Sequence, residues 1–218
     1  PGETAAPGTA SGKTGTPTTQ TAGISFILTV NSVDTFWNVV SNTDSIATTS
    51  SDPIAVLPAN ANLSAGTRTR TVTLRTAGTQ TVTASDVTDN TKTAATSSLI
   101  PVDPDPADHL AIQTQPSATA IAGVAFAQQP VVRIEDQFGN LVTTDNTTVV
   151  TATRSAGTGT LQGTLTKTAV NGLAVFANLN HQVATTISLR FTASGLTAVT
   201  SGNIVVSPHL YKLGVDPL

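Results

Sequence analysis

Apolar and polar residues alternate along most of this chain in short runs, and turn-forming residues interrupt the runs about every 8–12 positions, a spacing typical of β-sandwiches. In Thr71-Val72-Thr73-Leu74 and Thr81-Val82-Thr83-Ala84 the apolar members share one face of an extended strand, and the threonines take the other. The same alternation in the second half predicts strands near His109–Thr114, Pro130–Glu135, Thr147–Thr153, Leu173–Asn178, Thr186–Thr192 and Gly202–Ser207. Gly139-Asn140 lies between two runs and reads as a tight hairpin turn, because both residues tolerate positive φ. Ala-rich windows such as Thr93-Ala94-Ala95-Thr96 are too short for helices. The expectation is an almost helix-free protein whose sheets carry one apolar and one threonine-coated face and pack in pairs.

The pattern occurs twice. Thr21-Ala22-Gly23-Ile24-Ser25-Phe26 returns as Ile121-Ala122-Gly123-Val124-Ala125-Phe126, displaced by 100 positions. Val33-Asp34-Thr35-Phe36-Trp37-Asn38-Val39-Val40 returns from its second residue as Asp136-Gln137-Phe138-Gly139-Asn140-Leu141-Val142, displaced by 102. Ala77–Ser85 more loosely echoes Ala184–Ser194. Between the copies, Pro101-Val102-Asp103-Pro104-Asp105-Pro106-Ala107-Asp108 has the proline spacing of a stiff polyproline II connection. The expected organisation is therefore a β-sandwich over 1–100, a Pro/Asp linker over 101–107, a second β-sandwich over 108–207 and a spare strand over 208–218.

Composition narrows the classes. Of 218 residues only 11% are charged and 39% hydrophobic, Thr is about a fifth, and the net charge is −3. No basic surface is available for nucleic acid or an anionic membrane, and no apolar run approaches the roughly 18 residues of a spanning helix. The absence of Cys excludes disulfides, thiol catalysis and Cys-ligated metal. Mean hydropathy of +0.11 opposes disorder, and β-branched Thr and Val favour strands. A start at Pro1 with no Met or signal peptide reads as a piece of a longer product.

From Asp108 to Ser207 the sequence resembles the bacterial immunoglobulin-like repeats of large surface proteins, those related to the invasin/intimin type. The resemblance is carried by Gln115-Pro116, Ala122-Gly123-Val124-Ala125-Phe126 and Val132-Arg133-Ile134-Glu135-Asp136-Gln137-Phe138-Gly139-Asn140. It continues through Gly157-Thr158-Gly159-Thr160-Leu161-Gln162-Gly163-Thr164 and Asn171-Gly172-Leu173-Ala174-Val175-Phe176. The first copy departs from it: Trp37 stands where the turn glycine belongs, and the Gly-Thr stretch is missing. The resemblance implies two tandem Ig-like β-sandwich domains, all-β, of an extracellular, non-catalytic kind used in stalks, adhesins or surface filaments. It supplies no catalytic residues.

Candidate chemistry is sparse. His109 and His209 both precede Leu at equivalent strand starts, and neither they nor His181 sits in a recognisable triad. Gly157-Thr158-Gly159 lacks the Lys and helix of a phosphate loop. Glu3 and Glu135 are the only glutamates. Asp34 and Asp136, with Asn38, Gly139 and Asn140, read as turn formers whose carboxylates bind nearby backbone N–H groups. Calcium is the one ion considered: Asp103, Asp105 and Asp108 with Asp86 or Asp89 offer hard oxygen ligands, but the twelve-residue loop signature is absent and a solvated acidic linker is the simpler reading. No other cofactor is expected. Thr67-Arg68-Thr69-Arg70-Thr71-Val72-Thr73 presents hydroxyls suited to O-glycans or to ice or polysaccharide, or simply to a solvated strand face. Asn62 and Asn146 head N-glycosylation patterns. Phe36 is expected to cap the core, as its equivalent Phe138 would. Trp37, unexplained by the repeat, is the possible ligand contact.

Two function classes follow, a structural segment of an extracellular filament or stalk and, second to it, a ligand- or glycan-binding adhesin module; an enzyme is a distant third. The first copy opens on Pro1-Gly2-Glu3, aligned with the turn that follows the second copy's opening strand, so its own first strand is expected to be missing. After the second copy, His209-Leu210-Tyr211-Lys212-Leu213-Gly214-Val215 repeats the opening His-Leu. Donation of that strand to the next molecule, or a covalent tandem neighbour, would each build a head-to-tail array.

Overall fold

The computed structural model describes residues 1–210, so the assembly strand called at 209–215 lies outside the described residues beyond Leu210. No helix occurs among them, and the chain divides into two compact units, 1–105 and 106–218. The division falls inside the expected 101–107 linker. Residues 101–103 are not linker: they belong to the last strand of the first unit.

Unit 1 opens with a hairpin, β1 (Glu3–Ala5) and β2 (Lys13–Gly15). Next come β3 (Gln20–Thr21), β4 (Ser25–Asn31), β5 (Ser45–Ser50) and β6 (Ala61–Asn62). The unit ends with β7 (Thr67–Thr73), β8 (Gly78–Gln80), β9 (Val82–Asp86), β10 (Ala95–Thr96) and β11 (Ile100–Asp103). Strand β4 pairs antiparallel with β7 along its whole length, Phe26 opposite Val72. Strands β10-β9-β5-β6 form a second sheet, and β3-β11-β8 a third. Thr81 separates β8 from β9. Its carbonyl accepts from Ser51 N–H and Ser50 Oγ, and its N–H donates to Ser51 Oγ, so its backbone is spent on the neighbouring loop instead of the ladder.

Unit 2 begins with β12 (His109–Thr114), β13 (Thr119–Ile121), β14 (Val131–Glu135) and β15 (Val149–Ala156). It continues with β16 (Leu161–Gln162), β17 (Thr166–Thr168), β18 (Leu173–Val175) and β19 (Asn180–His181). It closes with β20 (Thr186–Thr192), β21 (Val199–Thr200) and β22 (Ile204–Ser207). One sheet is β12-β14-β18; the facing sheet runs β13-β22-β20-β15-β17, with β21 also on β20. Val132 and Ile134 from the first sheet meet Val150, Ile187, Leu189 and Phe191 from the second in one core, where the Phe176 and Phe191 rings pack at a tilt of 48° with centroids 5.4 Å apart.

The repeat is structural. The parallel pair β13–β22 matches β3–β11, and β15–β20 matches β5–β9. Alternation places the core as expected along β7 and just past its end: Val72 and Leu74 are fully buried and Thr71 is exposed. The copies differ at the start. In unit 2 β12 pairs with β14, Leu110 opposite Ile134. In unit 1 the expected alignment of Pro1-Gly2-Glu3 with a turn does not form. Glu3–Ala5 is a strand, and residues 9–14, which stand 100 positions before β12, form the tip and return arm of its hairpin. Among the described residues β4 therefore has β7 on one edge and no strand on the other.

Candidate functional site

The two Asp turns are the same object. Asp34 Oδ1 accepts from the N–H groups of Phe36 (2.8 Å) and Asn38 (2.9 Å), and its Oδ2 from Asn38 Nδ2 (3.0 Å). Asp136 Oδ1 accepts from Phe138 and Asn140 N–H (both 2.9 Å), and its Oδ2 from Asn140 Nδ2 (2.8 Å). In each, the Asp N–H also donates to the Asn carbonyl at 3.0 Å. These bonds, led by the Asn38 amide, hold the Asp34 carboxyl below its usual range. The expected two-residue turn at Gly139-Asn140 is thus a five-residue loop, Asp136–Asn140, in which only Gly139 is left-handed, at φ 82°. Burial separates the copies, since Asp136 is completely buried and Asp34 is exposed.

Trp37 takes the left-handed place of Gly139 with φ 67°, a strained backbone for a bulky side chain. Its indole lies over Gly12, where a Cβ would come within 2.2 Å of the ring. Gly8 N–H donates to the Phe36 carbonyl at 2.8 Å, so the β1–β2 hairpin is fastened to this turn. Phe36 does not cap the core: it is 69% exposed, whereas Phe138 is half-buried. A turn fixed by its own Asp leaves its Phe to whatever the rest of the fold lays over it, and among the described residues little covers Phe36.

The calcium candidates do not come together. Asp103 ends β11, its carbonyl accepting from Ala22 N–H, and Asp108 contacts His109 Nδ1 at 3.1 Å. Among the described residues no group of three or more His, Asp or Glu is placed to hold a metal ion. Asp86 and Asp89 instead join Asp44 around the Lys92 ammonium, Asp44 in the shortest contact, Asp86 at 3.1 Å and Asp89 at 3.6 Å. The Asp89 N–H, then Thr88 N–H and Lys92, hold Asp86 down to about 2. Hydrogen bonds from Lys92 to Asp44 and Asp86 keep its ammonium protonated well above the usual lysine range.

Of the histidines, His109 Nε2 faces Glu135 at 3.3 Å, His181 is fully buried beside Val183, and His209 is exposed. Glu3 ties Lys13 and Ser98. Exposed Thr69 and Thr71 carry the outer hydroxyls of β7, and Asn62 and Asn146 are exposed.

Two buried charged groups, Asp52 and Arg70, were not singled out from the sequence. Asp52 accepts from Ile54 N–H, Arg75 N–H, Thr76 N–H and Thr76 Oγ1. Burial raises its carboxyl, but these donors outweigh it and leave it below the usual range. Arg70 is 3% exposed and donates to Thr48 Oγ1 and the carbonyls of Pro58 and Ala59. The signal was present: Arg70 has the parity of Val72 and Leu74.

The remaining feature is the free edge of β4. Val30, half-buried there, matches Val132, which β12 covers completely in unit 2. Ser32 gives its N–H to Gly66 and receives Val40 N–H, as Ile134 does with Gly172 and Val142. The two edges are therefore built alike, and among the described residues only one is occupied.

Chain and geometry together define an all-β protein with an immunoglobulin-like fold, divided into two compact units. No family model matches the chain, and no curated protein matches it. Solved structures similar to it include the D00–D0 domains of intimin, at 13% identity over 88% of this chain and 96% of that one, with a TM-score of 0.47. The D0–D1 domains of intimin are 19% identical over 86% and 93%, with a TM-score of 0.34. FdeC, an Escherichia coli adhesin, is 17% identical over 87% and 61%, with a TM-score of 0.39.

Proposed function

We propose that this chain is a structural segment of an extracellular filament or surface stalk, with its Ig-like units joined head to tail. The observation that carries the reading is the repetition itself: one turn, with the same three Asp bonds, and the same strand pairings occur twice within 210 described residues. A chain that repeats a module in this way spends its sequence on length. Threonine-faced strands with few charges, and no Cys or Met, suit persistence outside the cell, where oxidised side chains are not repaired. The expected neighbours are further copies of the same chain or covalently linked units. The exposed threonines are the places for O-glycans, and no catalytic step, cofactor or metal belongs to this reading. Electron microscopy of the native particle tests it: extended arrays with a regular bead repeat are expected, and compact isolated particles at all concentrations refute it.

Phe36 favours the adhesin reading as the alternative. It is a large, 69% exposed aromatic beside half-covered Trp37 on one turn, and such rings stack on sugar faces. A glycan array separates the two readings: binding lost in Phe36→Ser supports adhesion, and no binding removes it.

A further inference from the structure

We propose that the free edge of β4 is an acceptor for the segment beginning at His209 of a second copy of this chain, added there as the strand that β12 supplies in unit 2. The inference rests on the head-to-tail reading and names its joint. Four observations converge on it. First, β14 lies between β12 and β18, whereas among the described residues β4 has only β7. Second, the edges match in backbone direction: Ser32, like Ile134, turns both its N–H and its carbonyl away from the edge, so the alternate residues Asn31 and Val33 face the free side. Third, His209-Leu210 repeats His109-Leu110, yet Leu210 is 81% exposed and Leu110 only 3%. Fourth, among the described residues unit 1 buries nine apolar side chains and unit 2 buries seventeen, as an incomplete sandwich should.

The unit 2 ladder gives the register. Leu110 lies opposite Ile134, so Leu210 lies opposite Ser32, a non-hydrogen-bonded position where facing side chains approach most closely. Ser32 is smaller than Ile134, which leaves room for the leucine. Three gains coincide. Unpaired edge groups of β4 acquire partners, half-exposed Val30 gains the methylene stem of Lys212, which falls opposite it where Ile112 faces Val132, and Leu210 leaves water. The contact is heterologous, since the tail of one copy meets the head of the next, and it repeats without closing unless the rotation forms a ring.

Because the chain has no Cys, engineered pairs report one contact at a time. Ser32→Cys and Leu210→Cys chains are mixed under oxidising conditions. The disulfide-linked heterodimer is expected as the major crosslinked product, at least about fivefold above the control mixture of Asn31→Cys with Leu210→Cys, whose side chains fall on opposite faces. A peptide of residues 208–218 added to the chain ending at Ser207 should slow amide exchange in β4, and Leu210→Asp in the peptide should weaken binding roughly tenfold or more. Heterodimer no more abundant than in the control overturns the proposal. So does β4 exchange that is already slow in dilute, tail-less chain, since the edge is then filled from within. If the particle still shows regular arrays in either case, the head-to-tail reading stands and only this joint falls; if arrays are also absent, both fall.

Discussion

Removing the Asp136 carboxylate should unfold the turn that unit 2 depends on, while the same change at Asp34 should be tolerated. In Asp136→Ala, Phe138 N–H, Asn140 N–H and Asn140 Nδ2 lose their acceptor together. Hydrogen bonds to a charged group are worth about 1.5–3 kcal/mol each in place. Water entering the vacated space recovers part of that, because Phe138 and Asn140 are only half-buried. About 1 kcal/mol per orphaned donor is then a fair net loss, or about 3 kcal/mol in all. For a unit of about 100 residues, unfolding entropy near 2.1 cal/mol/K per residue converts this to a melting shift of roughly 12–15 °C. At exposed Asp34 the identical bonds are already in water, and Asp34→Ala should move its unit by a few degrees at most. Asp136→Asn keeps one acceptor oxygen but sets an amide against Asn140 Nδ2, so it should fall between wild type and Asp136→Ala. Scanning calorimetry measures the shifts, and hydrogen exchange assigns each transition to its unit. Equal shifts for Asp34→Ala and Asp136→Ala would mean that burial is not what makes this turn matter.

Trp37 should show an inverted substitution order. Left-handed backbone costs a non-glycine residue roughly 1–2 kcal/mol, so Trp37→Gly exchanges packing on Gly12 for relief of strain, whereas Trp37→Ala loses the packing and keeps the strain; an alanine variant that melts above the glycine variant refutes this account. Asp52 and Asp86 in unit 1 and Asp145 in unit 2 have folded values below the ordinary carboxyl value of about 4. Their contribution is full above that value and is lost as pH falls through the folded ones, so stability should be flat from neutral to about pH 5 and decline between about 4 and 2. Thermal melts in a pH series check this, and Asp52→Asn should flatten the unit 1 decline; an unchanged melting temperature at pH 2 contradicts it. Millimolar calcium should leave both melting transitions in place, since Asp103, Asp105 and Asp108 join no ligand group among the described residues; a calorimetric binding signal abolished by Asp105→Asn would reverse that conclusion.

Much of this architecture is legible in the chain because its determinants are local. Period-two alternation assigns Val72 and Leu74 to the core, and an Asp four residues before an Asn builds the same loop at 34 and 136. What the sequence hides depends on distant neighbours. Phe36 and Phe138 occupy equivalent places on equivalent turns, yet only one finds cover. Residues 9–14 have the position of a first strand but fold back on Glu3–Ala5, a choice set by the glycines and by Trp37, which the hairpin packs against. The Pro101–Asp103 segment reads as linker from its prolines. In the fold its edges are taken by Thr79 opposite Pro101, and by Gln20 and Thr21 on the other side. Ile100 and Val102 carry the buried face of this strand, and Pro101 lies half-buried between them.

The divergence between the copies is itself ordered. Unit 2 is the complete sandwich: its first strand is paired, its Asp is buried, its turn carries the unstrained Gly139, and its core joins both sheets. Unit 1 differs at each corresponding point. Its β4 edge is free, its Asp is in solvent, its turn carries a strained Trp, and the place opposite Leu28 in its inner face is held by an arginine that must be satisfied by Thr48 and two carbonyls. Every departure lowers what unit 1 gains by folding alone, and the largest concern the β4 edge and the turn beside it. In the head-to-tail reading proposed above, the energy withheld from the isolated unit would become available to the joint. Association would then be favoured by the completion of a fold, a stronger drive than contact between two finished surfaces of so little charge.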